Sequence, residues 1–332
     1  MSKKLLLVIV CVCLIGSLCC IPTTMAAKQI VMKIGHAHPT NTPRHQAFLK
    51  FKELVEKKSK NVVKVEIYPA GQLGSEPEMI EAIKMGTLEG SRAGCYDMVS
   101  RKLLIYTMPF LFNKIEDVYK VTKGPFAEKI SKDAEKNGIV ILTNGDGGGF
   151  RNITNNKRPV VAPEDMKGLK MRTPPIESIV KIMEALGANP VSIPYGDTYM
   201  AMKTGVADGQ ENPFVNTVSM KFHEVQKYMT VCNYQFHPDP FYISKKWWDT
   251  LDSKTKKVIT DCAWESQDYS NQLMRKADED SYEVIKKSME VTVLTKAQKA
   301  AFVEKTKAVD EYFVSNKYFT KQEIDELRSL IK

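Results

Sequence analysis

Leu169-Lys170-Met171-Arg172 ends on an arginine, and Asp208-Gly209-Gln210-Glu211-Asn212-Pro213 follows about forty positions later. An apolar-flanked strand that terminates in arginine, set near an amide-bearing loop, suits capture of a carboxylate. The guanidinium is a planar fork that meets both carboxylate oxygens at once, a geometry lysine cannot reproduce. Arg151 sits similarly, at the end of another strand-like segment in the same half of the chain. Read from the residues alone, surface ion pairs, which contribute only ~0–1 kcal/mol each, stand slightly ahead for both arginines.

Other chemistries find less support. Gly145-Asp146-Gly147-Gly148-Gly149-Phe150 follows a strand as a phosphate loop would, but it lacks the Lys-Ser/Thr ending and no clear helix starts after it. A hinge, or a close approach of backbone to a ligand, accounts better for these glycines. The histidines, His36, His38, His45, His223 and His237, show no metal-ligand spacing. His45 and His223 fall in helical patterns, whereas His36 and His38 occupy the loop after the first strand, where α/β proteins often hold ligands. No Gly-x-Ser-x-Gly elbow and no cysteine with a catalytic local signature occurs.

These residues need elements to position them. Val31 to Gly35 reads as a strand, and Thr42-Pro43 opens a helix with Phe48, Phe51 and Val55 on one face. Val63, Val65 and Ile67 alternate with charged residues as a half-buried strand. Ser75 and Glu78 form a capping box for a helix running to Gly86. A helical stretch from about Ile115 to Gly138 precedes a short buried strand, Ile139 to Leu142. Ile179, Ile182, Met183 and Leu186 give a helix face closed by Gly187, and Val191 to Ile193 the next strand. From Lys245 to about Met289 the chain is nearly free of Gly and Pro and reads as one long helix. Such alternation implies α/β layers with largely parallel sheets.

The chain has 332 residues and a formal charge of +9. Met1-Ser2-Lys3-Lys4, an apolar run to Leu18 and Thr24-Met25-Ala26-Ala27 have the order of a secretory signal cleaved after Ala26 or Ala27. A lipid-modified Cys19 or Cys20 is the weaker reading, because neither follows Gly or Ala. The run is shorter than the ~20 residues a membrane span needs, so the mature protein is expected to be exported to the periplasm. Its remaining charge, about +7, is spread over solvated helix faces, which argues against nucleic acid as a partner. Cys95, Cys232 and Cys262 remain after cleavage, too few and too scattered for a disulfide framework or zinc site, though one disulfide stays open. About 300 residues suggest two domains.

Several long segments, in order, carry a family resemblance: Tyr68-Pro69-Ala70-Gly71-Gln72-Leu73-Gly74, Met108-Pro109-Phe110-Leu111-Phe112, Pro163 through Arg172, Thr204 through Pro213, and Lys221 through Tyr228. Over nearly all of its mature length the chain resembles the periplasmic solute-binding subunit of a tripartite ATP-independent periplasmic (TRAP) transporter, of the C4-dicarboxylate and sugar-acid receptor family. The resemblance implies a two-lobe α/β binding protein of type II with mixed, mostly parallel sheets and a long helix spanning both lobes. It places a first lobe at residues 27–149 plus about 238–277, a second at 150–237 plus about 278–332, and a ligand cleft between them.

Within that cleft the resemblance gives Arg172 the solute carboxylate, with Arg151 as a supporting arginine and Asn212 of Gln-Glu-Asn-Pro as a ligand-holding amide. Tyr195 matches a pocket aromatic, and His36 and Glu76 fall in first-lobe loops that vary with solute. Two positions depart from the pattern: Tyr234 stands where many members have histidine, and Gly94 where some acidic-sugar binders carry glutamate, which puts a nine-carbon sugar acid in doubt. Arg92, Tyr96, His237, Phe241 and Trp247 could shape the remaining pocket. The implied function is non-enzymatic: a monomer without cofactor or metal binds a small organic acid, a uronate or aldonate foremost, and delivers it to the membrane subunits of the transporter. A short dicarboxylate or keto acid, presentation of the ligand to a membrane sensor, and an exported α/β enzyme are the alternatives.

Overall fold

The structure is a computed structural model that describes residues 29–331. The expected signal segment, with Cys11, Cys13, Cys19 and Cys20, lies outside the described residues. The remaining chain is α/β, built on one mixed sheet whose path is β2-β1-β3-β8-β4-β7-β5-β6, with β9 added alongside β8. The strands are β1 (Ile30–Gly35), β2 (Val63–Tyr68), β3 (Gly90–Arg92), β4 (Ile139–Asn155), β5 (Lys170–Thr173), β6 (Asn189–Ser192), β7 (Gly209–Asn212), β8 (Tyr228–Ser244) and β9 (Glu290–Val293). Pairing is parallel within β1–β2, β1–β3, β5–β6, β5–β7 and β8–β9, and antiparallel where β3, β4, β7 and β8 meet.

The two 17-residue strands β4 and β8 join the halves of the sheet. Their lower ends pair with each other beside β3, and their other ends reach β7 and β9. The register between them shifts three times, once between Asp146 and Phe150. The strand expected at Ile139 to Leu142 continues to Asn155, so the glycine run lies inside β4 rather than in a loop after it. Gly145 is required by close packing, since a Cβ there would meet the Gln267 amide at 1.9 Å. Gly149, at φ +92°, turns the strand through the bulge in a conformation that side chains disfavour.

Helix α1 (Pro43–Lys58) starts at the anticipated Thr42-Pro43, with Thr42 Oγ1 accepting from the His45 N–H. Helix α2 (Glu76–Met85) starts as expected, the Glu78 carboxylate accepting from the Ser75 N–H at 2.7 Å. The helical stretch read over 115–138 divides into Ile115–Val121, Pro125–Lys132 and a 3-10 turn, because Gly124 adopts φ +84° and Pro125 begins a new helix. Helix α3 (Glu177–Ala185) covers the second half of the sheet. The long helix anticipated from Lys245 splits as well: a single turn, Lys245–Trp248, is followed by α4 (Ser253–Ser288), which Asp252 caps through the Thr255 N–H at 2.8 Å.

Helix α4 braces both halves. Its Ile259, Cys262 and Ala263 pack with Phe48, Phe51 and Val63 of the first half, while Ile285 packs with Met229 and Tyr282 stacks on Phe214 at 4.8 Å. The largest apolar cluster runs from Met79 and Leu104 to Ile179, Phe302 and Phe313, so packing is continuous across the expected lobe boundary. Thr107 and Ser178 hydroxyls meet there at 2.7 Å. Cys95, Cys232 and Cys262 are free and buried. None of the described helices is long and apolar enough to cross a membrane.

Candidate ligand cavity

A cavity of about 50 Å³ lies between the sheet halves, lined by Arg44, Glu76, Gly94, Tyr96, Arg151, Arg172, Tyr195, Asn212, Asn216 and His237 among others. Parallel strand β5 delivers Arg172 to it. The Arg172 Nε and Nη2 both donate to the Ile193 carbonyl, at 2.9 and 2.7 Å. That double contact fixes the plane of the fork and leaves Nη1, fully buried, without a partner. Burial above all, with Arg151 adding to it, lowers the Arg172 pKa to about 10 against the opposing pull of Glu211, so the group stays charged at neutral pH.

Arg151 lies inside β4 rather than at a strand end, because the strand continues to Asn155. Its Nε and Nη2 both engage the Glu211 carboxylate, and Nη2 also donates to Asn212 Oδ1 at 3.2 Å. Burial opposes its charge, yet Glu211 outweighs burial and the net shift is upward. Tyr234 completes the group by donating to Glu211 at 2.5 Å. Asn212 is oriented by Gln210 at 2.5 Å and by Asn216 at 3.3 Å. The residue that departs from the family pattern, Tyr234, thus serves the ion pair beneath the cavity.

On the other side Arg44, in the first turn of α1, binds Asp239 of β8 at 2.7 Å and approaches Glu76 at 3.5 Å. A cation in the first turn opposes the helix dipole, and the buried Asp239 compensates it. Arg92 holds the second Asp239 oxygen at 3.3 Å, sandwiched between Phe48 and Phe241 at 5.2 and 5.3 Å. Tyr195 lines the cavity with its hydroxyl unpartnered, and His38 stacks on its ring at 4.8 Å. Tyr96 donates to the Pro238 carbonyl, and His237 contacts Gln235 at 2.7 Å.

Of the six residues carried over from the family, Arg172, Arg151, Asn212, Tyr195 and Glu76 converge on this cavity. His36 is a correction. It stacks on Phe48 and meets His45 at 3.1 Å, below the cavity wall, and His38 of the same loop lines the cavity instead. The chain bends between the two histidines, so side chains two positions apart do not share a face as they would on a strand. Tyr96 and His237 reach the cavity, Arg92 and Phe241 stand one layer behind it, and Trp247 packs against the β1–β2 cluster. Sequence reasoning missed Arg44, Asn216 and Asp239. Only Arg44 left a trace, as a basic residue at a helix N-terminus.

Among the described residues no cluster of three or more metal-ligating side chains forms. The cavity's lining combines a charged donor with an open nitrogen, the side-chain amides of Asn212 and Asn216, and hydroxyl, carboxylate and further guanidinium groups. That arrangement orients an anion bearing further polar groups.

Comparison with known proteins agrees with the geometry. Residues 34–317 match the family described as bacterial extracellular solute-binding protein, family 7. A C4-dicarboxylate-binding periplasmic protein of Rhodobacter capsulatus is 32% identical over 84% of each chain. Two solved TRAP periplasmic solute binding proteins superpose closely. One, from Shewanella oneidensis with bound succinate, has TM-score 0.87 and 28% identity over 92% of this chain and 100% of its own. The other, from Haemophilus influenzae with bound L-gulonate, has TM-score 0.87 and 28% identity over 91% and 100%. The chain belongs to the family 7 bacterial extracellular solute-binding proteins, the receptors of TRAP transport systems.

Proposed function

We propose that this protein binds a hydroxylated organic acid, a uronate or aldonate, and delivers it to the membrane subunits of a TRAP transporter. The reading rests on one observation: Arg172 presents a buried, charged Nη1 without a partner at the cavity. An unsatisfied buried donor costs ~1–3 kcal/mol and more when charged, and a ligand carboxylate removes that cost. The L-gulonate complex of the Haemophilus influenzae receptor supports an acid with several hydroxyls.

In this reading the solute enters between two lobes that divide near residues 149 and 237, and they rotate shut about β4 and β8. Closure excludes water and strengthens the ion pair. The receptor acts as a periplasmic monomer after removal of residues 1–26, carries out no chemistry and uses no cofactor. A second reading, a short dicarboxylate or keto acid, draws support from the cavity's size: about 50 Å³ is room for roughly four waters at ~10–15 Å³ each. Calorimetry with L-gulonate, D-erythronate and succinate, followed by recovery of the ligand, tests the proposal. Binding with unchanged ligand is expected, whereas no binding of any acid, or turnover, refutes it.

A further inference from the structure

Charge around the cavity is nearly balanced, and the small remainder decides what kind of acid fits. Four guanidinium groups, of Arg44, Arg92, Arg151 and Arg172, lie in or directly behind the wall. Three carboxylates face them: Glu211 on Arg151, Asp239 on Arg44 and Arg92, and Glu76 near Arg44. Burial drives the pKa values of His38 and His237 well below the usual range and those of Tyr96 and Tyr195 above it, so these four are neutral near pH 7. Burial raises the Glu76 pKa, with Arg44 the largest opposing charge; with Glu76 ionised, one positive charge is left over, on Arg172, which forms no ion pair with any of the three carboxylates.

Three guanidinium nitrogens lack hydrogen-bond partners, Arg172 Nη1, Arg44 Nη1 and Arg92 Nε; the first two belong to residues that line the cavity, where a dicarboxylate would have to bridge them. The charge count argues otherwise. Arg44 already lies against two carboxylates, at 2.7 and 3.5 Å, and a second ligand carboxylate on Nη1 would stand against Glu76. Conversely, the 3.5 Å between Arg44 Nη1 and Glu76 Oε1 is too long for a direct hydrogen bond. A hydroxyl seated beside the pair, ~2.8 Å from each atom, accepts from the guanidinium and donates to the carboxylate. The unpartnered Tyr195 hydroxyl offers one more polar contact at the same cavity.

We infer that Glu76 makes the cavity a filter for monoanions, admitting a hydroxylated monocarboxylate and refusing a dicarboxylate of the same length. Arg172 neutralises the single carboxylate, and Glu76 rewards a hydroxyl donor while repelling a second negative charge. The inference rests on the acid-receptor reading above and decides between its two ligand classes. Like-charge juxtaposition in a desolvated site is costly.

D-Erythronate and succinate both have four carbons and differ by one charge, so calorimetry of this pair on the purified receptor, wild type and Glu76→Gln, is the test. Wild type should bind D-erythronate roughly a hundredfold more tightly than succinate, and Glu76→Gln should narrow that ratio roughly tenfold or more. Equal wild-type affinity for the two, or an unchanged ratio in a folded Glu76→Gln, overturns the filter and leaves the acid receptor standing. Binding of neither these nor L-gulonate overturns the receptor reading itself. Circular dichroism verifies that the variant folds; if it does not, the wild-type ratio decides alone.

Discussion

Arg151 and Glu211, sixty residues apart, close a two-pronged ion pair beneath the cavity, with Arg151 Nη2 at 2.8 Å from Glu211 Oε1. That pair consumes the charge of Arg151, whereas the neighbouring Arg172 keeps a buried nitrogen without a partner at the cavity. Two adjacent guanidinium groups in a buried site thereby take different duties.

Breaking this pair should destabilise the fold. Glu211→Ala leaves a buried uncompensated cation, at a cost of about 3–5 kcal/mol. Tyr234→Phe removes one hydrogen bond to a charged acceptor, about 1.5–3 kcal/mol. Urea denaturation monitored by circular dichroism should order the proteins as wild type, Tyr234→Phe, Glu211→Ala in decreasing stability. A Glu211→Ala protein as stable as wild type would show that Arg151 finds another partner.

Arg172→Lys keeps a positive charge but cannot contact the Ile193 carbonyl and a carboxylate with the same planar fork. Arg172→Ala removes the charge altogether. Loss of one partner of a buried charge pair costs about 2–5 kcal/mol, so L-gulonate affinity should fall roughly thirtyfold or more in Arg172→Ala, with Arg172→Lys between it and wild type. Near wild-type affinity in Arg172→Ala, read by calorimetry, would remove this residue from ligand binding.

The approach of α4 to β4 can be probed at Gly145. Alanine there would set its Cβ against the buried Gln267 amide, which is itself bonded to Asn271 at 2.8 Å. Overpacking of this kind costs about 1–3 kcal/mol. Gln267→Ala should recover part of that loss when combined with Gly145→Ala. Additive losses in the double-mutant cycle would separate the two sites.

Asp278 on α4 has an unpartnered oxygen beside Asp146, and burial, with the charge of Asp146 adding to it, raises its pKa to about 7. The folded state therefore holds a proton that the unfolded chain, titrating near 3.8, has lost. Between those values stability gained from this group rises as pH falls, and above about 7 it is fully lost. Asp278→Asn should raise the melting temperature at pH 8 and have less effect at pH 5. The same increment at both pH values would place the proton elsewhere.

Features legible in the sequence were those set by neighbours along the chain. Thr42-Pro43 and Ser75 with Glu78 are helix starts in which capping group and free N–H lie within three residues, so they could be read directly. Helix α4 was legible because a run without Gly or Pro leaves the helical ladder unbroken, although the Asp252 cap that starts it eight residues late was not. Strands β4 and β8 were hidden. They contain glycines and prolines that read as punctuation, and their pairing tolerates these residues through shifts of register.

By itself, then, the sequence determined the α/β alternation, the helix starts, and the residue types capable of holding an acid, with Arg172 and Asn212 at their head. Tertiary structure alone decided which of those types share a cavity and which spend their charge on each other. Arg44 meets Asp239 across 195 residues, and Arg151 meets Glu211 across sixty. His38 rather than His36 faces the cavity because the loop's path past Phe48 turns one ring inward and the other away. Coulomb attraction and burial act on distance in space, and the order of residues along a chain does not encode that distance until the strands have crossed.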